Sequence, residues 1–292
     1  MLQYRKYSRP ESIQELFALM EQNKDSFDLL SGGTDVYAKE AGSGKLAECA
    51  IDISAIEAFS NISRSGNSIT IGANTRVQQF LEDAVLIECV PIVRHAAIYF
   101  ADQQIREAAS VGGNLANASP SGDLIAPMAA LDAVVHTLYQ DESGIHEKDY
   151  QIMEFILGPK KTTMEKRACI ASVTCPILSG YGCAFKKVGL RRSLCISTVN
   201  SAFLVKPDAD SRSFADARIA FGGIGPTPTR LYECEAYLKG KPICREVIDA
   251  AAEFIPADVV RSRSRREYRA IVVRNFFFAG LSEALAETGV EL

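Results

Sequence analysis

The pattern of apolar and polar residues divides the chain into three successive regions. In the first, residues 4–7 can form a short strand, the mainly apolar runs at 27–30 and 50–53 predict two more, and apolar residues at helical spacing over 13–20 predict a helix between the first two. Asp35 is placed to cap a further short helix over 36–41. The order predicts a βαβαβ unit over residues 1–55.

The second region, residues 56–176, mixes strands with helices. Its predicted elements are a strand over 68–72, a helix capped by Thr75, a helix opened by Pro91, a helix over 124–131, and strands over 133–138 and 169–173. Residues 155–162 contain Gly-Pro and predict a loop.

The third region, residues 177–292, begins with strands and continues with helices. The predicted strands cover 182–188, 196–205 and 214–221, and the predicted helices cover 231–238, 245–254 and 268–285, the last ended by Gly289. Strands followed by helices indicate a sheet with helices on one face, so the predicted fold class is α+β.

Composition excludes several functional classes. The 292 residues are 47% hydrophobic, enough for sizeable cores, and the formal net charge of −4 comes without a basic block, so no nucleic-acid partner is expected. No apolar run reaches membrane-span length and the N-terminus does not resemble a signal peptide. A soluble, cytoplasmic protein without a membrane partner is expected.

Cysteine and histidine spacing predicts no metal site. None of the eight cysteines forms a Cys-x-x-Cys pair, which disfavours a zinc ribbon or an iron–sulfur cluster held by this chain alone. The three histidines are scattered and predict neither a metal site nor a catalytic acid–base group.

Two stretches with adjacent glycines, residues 29–35 and 110–117, are the most informative motifs. Each glycine pair follows a short apolar run that is typical of a strand, and glycine lets backbone N–H groups approach a phosphate closely. The chain contains neither Gly-x-x-x-x-Gly-Lys-Ser/Thr nor Gly-x-Gly-x-x-Gly, which disfavours a P-loop or a Rossmann site. A dinucleotide cofactor held mainly by backbone groups fits these features.

These residues resemble the flavin-binding motifs of one family. Leu-Leu-Ser-Gly-Gly-Thr-Asp at 29–35 resembles the first motif of the flavoproteins in the xanthine dehydrogenase and carbon monoxide dehydrogenase family of molybdenum hydroxylases, and 104–114 with 118–123 resemble the second. Residues 184–192 and 220–228 resemble the C-terminal domain of that family. The resemblance covers nearly the whole chain in order.

The resemblance implies a fold, a cofactor and partners. The fold is two α/β FAD-binding subdomains of the PCMH type, here residues 1–55 and 56–176, followed by an α+β C-terminal domain, residues 177–292. The chain would be the FAD-binding medium subunit, beside a large subunit with molybdopterin and a small subunit with two iron–sulfur clusters. It would take electrons from the small subunit and pass them to NAD(P) or another acceptor while the large subunit hydroxylates a heterocycle or an aldehyde. A dimer of such heteromers is expected.

The resemblance also implies roles for individual residues. Residues 29–36 and 110–114 would hold the FAD pyrophosphate and sugar, Asp123 would bind cofactor hydroxyls, and the remaining positions would lie near the flavin ring or its access path. The predicted cofactor-binding residues are Leu29, Leu30, Ser31, Gly32, Gly33, Thr34, Asp35, Val36, Phe100, Ala101, Ser110, Val111, Gly112, Gly113, Asn114, Asp123, Lys160, Cys169, Ile170, Lys186, Lys187 and Ile196.

Several alternatives stay open at the level of sequence. The chain could instead be a self-sufficient PCMH-type flavin oxidoreductase or a non-enzymatic FAD-carrying assembly partner. Adjacent strand residues face opposite ways, so one of Lys186 and Lys187 faces the flavin, and the sequence does not say which. The organic substrate, the stoichiometry and the choice between NAD, NADP and other acceptors are also open.

Overall fold

The computed structural model describes residues 4–24, 26–36, 46–191 and 194–292. Most of the helix expected over 36–41 lies outside these residues, as does Arg192 of the 184–192 segment. Across the described ranges, no helix combines the length and the apolar character needed to cross a membrane.

A small parallel sheet opens the chain. Its strands are β1 (Lys6–Ser8), β2 (Phe27–Leu30) and β3 (Cys49–Asp52), in the order β1-β3-β2. Helix α1 (Ile13–Asn23) connects β1 to β2 and is capped by the Ser12 side chain, which accepts a hydrogen bond from the Glu15 N–H at 3.2 Å. The first glycine pair therefore follows the carboxyl end of β2, as the sequence predicts.

An antiparallel five-stranded sheet forms the middle of the molecule. Its strands are β4 (Ile62–Ser65), β5 (Ser68–Gly72), β6 (Val134–Asp141), β7 (Gly144–Gln151) and β10 (Cys169–Pro176), in the order β4-β5-β10-β6-β7. A separate hairpin consists of β8 (Ile156–Gly158) and β9 (Lys161–Thr162).

Seven short helices belong to this middle region. They are α2 (Gln79–Glu82), α3 (Ala84–Cys89), α4 (Pro91–Ile98), α5 (Gln103–Ala108), α6 (Val111–Asn117), α7 (Ile125–Ala130) and α8 (Ile152–Phe155). Pro91 occupies the first turn of α4, as predicted.

The last region is a four-stranded antiparallel sheet with helices. Strands β11 (Gly182–Gly189), β12 (Ser197–Pro207), β13 (Phe214–Gly222) and β14 (Thr229–Arg230) pair in sequence order. The helices are α9 (Tyr232–Leu238), α10 (Arg245–Ala252) and α11 (Arg266–Glu287). Helix α11 packs on β11 and β12, and Gly289 follows it with a positive φ of 82°. The mixed fold class predicted from the sequence is confirmed.

One apolar core continues from the middle region into the last. Buried side chains of α4 and α7, such as Val93 and Met128, share a cluster with Phe185 of β11 and Leu204 of β12. The two regions are thus joined by burial as well as by the chain.

Four predictions of local structure are wrong for identifiable reasons. The second glycine pair does not follow a strand, because Asp102 and Ser110 cap helices α5 and α6 and place the pair within α6. Thr75 caps no helix, since the Gln79 side chain accepts the Arg76 N–H at 2.8 Å and α2 begins only at Gln79.

The two other differences concern short elements. Residues 155–162 contain the β8–β9 hairpin where the sequence predicts a loop. Asp35 lies inside the helical turn over 34–36, so it is not the residue that precedes the helix.

Candidate functional site

A cavity of about 490 Å³ opens between the first glycine pair and helix α6. It brings together two motifs that are almost 80 positions apart in the sequence, which is the arrangement that a dinucleotide clamp requires. Predicted site residues make up most of its wall: Leu29, Leu30, Ser31, Gly32, Gly33, Thr34, Asp35, Val36, Phe100, Ser110, Gly113, Asn114 and Lys160. Asp28, Ala109, Ala116 and Asn117 also line it and were not predicted.

Close backbone approach explains why glycine occupies position 32. A Cβ atom built on Gly32 would lie 1.7 Å from the carbonyl oxygen of Ala108, at the end of α5. No side chain fits at that distance, so any residue larger than glycine would force the two walls of the cavity apart.

Two polar residues of the β5–α2 connection fasten the first motif to the second. The Ser31 hydroxyl donates to Asn74 Oδ1 at 2.8 Å and accepts from Arg76 Nη1 at 3.0 Å. The same Arg76 nitrogen donates to the carbonyl oxygen of Ala108 at 2.6 Å. Sequence reasoning missed both residues, because neither belongs to a glycine motif.

The first motif offers free hydrogen-bond donors to the cavity. Among the described residues, none accepts a hydrogen bond from the backbone N–H of Gly32 or Gly33. Gly33 has a positive φ of 68°, and successive amides in such a turn form a concave site that favours an anion. The arrangement suits a phosphate group.

Helix α6 contributes less backbone than predicted. The N–H groups of Val111 and Gly112 donate to Thr75 and Ala73 carbonyls at 3.0 and 2.9 Å, and both residues are buried away from the cavity. Their N–H groups are thus used within the protein, and the cofactor contact predicted for the two residues stays a prediction. Asn114 remains available, since its buried Oδ1 has no partner among the described residues.

A carboxylate, that of Asp35, and an amine, that of Lys160, both line the cavity. Burial raises the pKa of Asp35, while Lys160 and a hydrogen bond with the Asn117 side chain counteract the rise. Lys160 lies in the turn of the β8–β9 hairpin with a φ of 58°, and its backbone N–H donates to the carbonyl oxygen of Ala118 at 3.2 Å. The hairpin thereby supplies the cavity with a cationic side chain.

A second cavity of about 330 Å³ lies beyond Phe100. Phe100 lines the first cavity, whereas its neighbours Tyr99 and Ala101 line the second. Ala101 has a φ of 40°, which is uncommon for a residue with a Cβ. This backbone turn places the side chain of Phe100 in one cavity and those of its two neighbours in the other. Lys187 and Arg191 also line this second cavity.

The structure distinguishes the two candidate lysines. Lys186 pairs with Glu283 of α11, on the face of β11 against which that helix packs. Lys187 points the other way, and its Nζ donates to Asp123 Oδ2 at 2.6 Å and to the Tyr99 carbonyl oxygen at 2.9 Å. Only Lys187 of the two faces the cavities.

Asp123 takes part in a buried network of hydrogen bonds around Lys187. Its Oδ1 accepts hydrogen bonds from Ser197 Oγ at 2.5 Å and Asn200 Nδ2 at 3.3 Å. Burial raises the pKa of Asp123, and Lys187, Ser197 and Asn200 counteract the rise by stabilising the carboxylate. Asp123 does not line the first cavity and is paired with Lys187, and its contact with cofactor hydroxyls stays a prediction.

Three further predicted residues, Cys169, Ile170 and Ile196, also lie outside both cavities. Cys169 and Ile170 are 3% and 5% exposed and belong to two apolar clusters, and burial raises the pKa of the Cys169 thiol to about 12. Their side chains are occupied by packing. Ile196 is 68% exposed, immediately before β12.

Comparison with known proteins agrees with this geometry. A family model described as the FAD binding domain in molybdopterin dehydrogenase matches residues 2–178, and the CO dehydrogenase flavoprotein C-terminal domain matches residues 184–284. The xanthine dehydrogenase FAD-binding subunit of Escherichia coli O157:H7 is 28% identical over 298 residues, covering 100% of both chains. The glyceraldehyde dehydrogenase medium chain of Sulfolobus acidocaldarius is 26% identical over 253 residues, covering 87% of each.

A solved structure extends the similarity to the fold. Carbon monoxide dehydrogenase from Hydrogenophaga pseudoflava superimposes with a TM-score of 0.89 at 25% identity, covering 98% of this chain and 99% of that one. The first family model alone spans more than half of the sequence. This chain therefore belongs to the family of FAD-binding domains of molybdopterin dehydrogenases, the flavoproteins of the xanthine and carbon monoxide dehydrogenase type.

Proposed function

We propose that this chain carries electrons out of a molybdenum hydroxylase, taking them from an iron–sulfur partner subunit and passing them to NAD(P) or another acceptor. The observation that carries the proposal is the first cavity, where Gly32 and Gly33 lie opposite the Ser110–Asn114 segment of a second motif and their N–H groups have no acceptor among the described residues. Two polar walls at this spacing suit a cofactor that is long and carries phosphates.

The residues present fit FAD in charge and in hydrogen-bonding capacity. The pyrophosphate would take the open amides of Gly32 and Gly33, and the buried Oδ1 of Asn114 would accept from a cofactor hydroxyl. We assign Phe100 and Lys187 to the flavin ring. Phe100 lines the first cavity and Lys187 the second, and the two cavities adjoin at the backbone turn over residues 99–101. When bound, FAD supplies the capacity to take up and release a pair of electrons.

The proposed partners follow from the names of the relatives. Two of them are called a medium chain and an FAD-binding subunit, and two more are the medium chain of a carbon monoxide dehydrogenase and subunit beta of a caffeine dehydrogenase. We propose a large subunit with molybdopterin, a small subunit with two iron–sulfur clusters, and a dimer of such heteromers. A heterocycle or an aldehyde would be oxidised on the large subunit.

The acceptor would enter at the second cavity. Arg191 lines it, and Leu190, Leu194 and Ile196 beside it are 71%, 44% and 68% exposed. An arginine next to an exposed apolar surface suits a nicotinamide dinucleotide, with its phosphates on the cation and its ring on the apolar side chains.

Copurification tests the proposal directly. The chain should be expressed with the products of its neighbouring genes and isolated through a tag on this chain alone. We expect yellow protein that releases FAD on denaturation, together with molybdenum and iron in the copurifying chains, and reduction by NADH or NADPH. A folded, colourless chain that takes up no added FAD would overturn the proposal, and FAD without partner chains would favour the self-sufficient oxidoreductase.

Charge substitutions at the buried pair should shift the flavin midpoint potential in opposite directions. Asp123→Asn frees the charge of Lys187 and stabilises the reduced, more negative flavin, so the potential should rise. Lys187→Gln removes the cation and should lower it. We expect shifts of roughly 30 mV, equivalent to about 1.4 kcal/mol for a two-electron couple, measured by equilibration with redox dyes.

The neighbouring lysine is the matched control. Lys186→Gln removes the same charge from the adjacent residue, whose partner is Glu283 on the opposite face of β11. It should leave the potential within a few millivolts of the starting protein. Equal shifts for Lys186→Gln and Lys187→Gln would contradict the assignment of Lys187 to the flavin.

A further inference from the structure

A mixed cluster of metal-ligating groups lies away from both cavities. His95 of α4, Cys183 of β11 and Glu287 at the end of α11 each direct one ligand atom into the same small volume, with these atoms within 4.8 Å of one another. It is the one such group among the residues that the structure describes. Its members are 88 and 104 positions apart, so their spacing in the sequence gave no sign of a site.

The separations are close to those between ligands on one zinc ion. His95 Nε2 lies 3.2 Å from Glu287 Oε1, Cys183 Sγ lies 3.4 Å from the other carboxylate oxygen, Oε2, and the sulfur and nitrogen are 4.0 Å apart. Zinc bonded to sulfur, nitrogen and one oxygen with tetrahedral angles places the three pairs ~3.3 to ~3.6 Å apart. Binding of the ion would therefore need a reorientation of the Glu287 carboxylate and a closer approach of the sulfur and the nitrogen.

The surroundings are preorganised and negative. The backbone N–H of Cys183 donates to Glu287 Oε2 at 2.9 Å, which orients the carboxylate toward the sulfur. The Glu287 carboxylate lies directly against the sulfur, whereas the nearby Glu283 is paired with Lys186. The negative charge of Glu287 attracts a divalent cation.

We propose that His95, Cys183 and Glu287 form a zinc-binding site, with water as the fourth ligand. Zinc binding would release the thiol proton to solvent, and the resulting thiolate and the Glu287 carboxylate would balance the 2+ charge. Cys183 is 1% exposed, whereas the side chains of His95 and Glu287 are 20% and 39% exposed, so the ion can enter from their side. The site would join the FAD-binding region to the last helix.

Zinc stoichiometry tests the proposal on the full chain. After equilibration with zinc chloride and removal of loosely bound metal, we expect about one zinc per chain by elemental analysis. Cys183→Ser and His95→Gln should each lower that content at least tenfold. The matched controls are Cys244→Ser and His146→Gln, which alter the same residue types outside the cluster and should retain one zinc.

A spectroscopic measurement on the unaltered chain covers the case in which a variant fails to fold. Addition of cobalt(II) should give the visible bands of a tetrahedral thiolate complex, at wavelengths longer than the flavin absorption, and added zinc should abolish them. Zinc should also raise the melting temperature of the unaltered chain. Absence of zinc and of the cobalt bands, or unchanged zinc content in Cys183→Ser and His95→Gln, would overturn the proposal.

Discussion

Replacing Gly32 with alanine is expected to weaken FAD binding by about a hundredfold, or roughly 2.8 kcal/mol. The added Cβ would lie 1.7 Å from the Ala108 carbonyl oxygen, and this neighbour is backbone that is already held by Arg76 at 2.6 Å. The walls of the first cavity must therefore separate, which moves the free amides away from the segment that begins at Ser110. Fluorescence titration of the apoprotein with FAD measures the effect.

Gly225→Ala is the control for the loss of a glycine as such. A Cβ at position 225 would have its nearest neighbour at 3.5 Å, an ordinary contact, and the residue lies outside the cavity. Its affinity for FAD should equal that of the starting protein. If Gly32→Ala binds FAD within threefold of Gly225→Ala while keeping the same circular dichroism, the cavity is not the cofactor site.

Replacing Glu235 with alanine is expected to lower the free energy of unfolding by about 3–5 kcal/mol. Glu235 receives two hydrogen bonds from the guanidinium of Arg230, at 2.8 and 2.7 Å, and one from the Ile219 N–H at 2.7 Å. The side chain of Arg230 is 3% exposed, so removing Glu235 leaves its buried Nε and Nη2 groups without acceptors and only the half-exposed Asp132, at 2.7 Å from Nη1, as a carboxylate partner. Urea unfolding followed by circular dichroism gives the difference.

An exposed ion pair serves as the comparison. Asp249→Ala breaks the pair with Arg245, whose side chains are 60% and 68% exposed, and should cost only about 0.3–0.5 kcal/mol. The double variant Arg230→Met, Glu235→Leu should recover much of the lost stability, because it removes both charges together. A cost for Glu235→Ala no larger than that for Asp249→Ala would show that the buried pair is unimportant.

The sequence predicted the elements that have an apolar signal of their own. Strand β5 and helix α4 were found because alternation and an opening proline mark them clearly. Strands β4 and β7 were missed, since both lie at the edges of their sheet and consist largely of polar, exposed residues. An edge strand is specified by the neighbour with which it pairs, and that information is not local.

The candidate site divides in the same way. The Gly32–Gly33 motif was predicted because a glycine pair after a strand is a local feature with few uses. Asn74 and Arg76 were missed, although they fasten Ser31, because they reach the site only through folding. The alternation of β11 predicted that Lys186 and Lys187 face opposite ways, but only the position of Asp123 decides which one points inward.

The apolar core that crosses from the middle region into the last has a consequence for how the chain unfolds. The two family models meet between residues 178 and 184, yet Phe185 and Val93 lie in one cluster on either side of that point. Arg230 also donates to the Ala129 carbonyl oxygen at 2.9 Å across the same junction. A proteolytic cut there would nick the chain without releasing either part. We therefore expect the two matched domains to unfold together, as one cooperative unit that melts in a single transition.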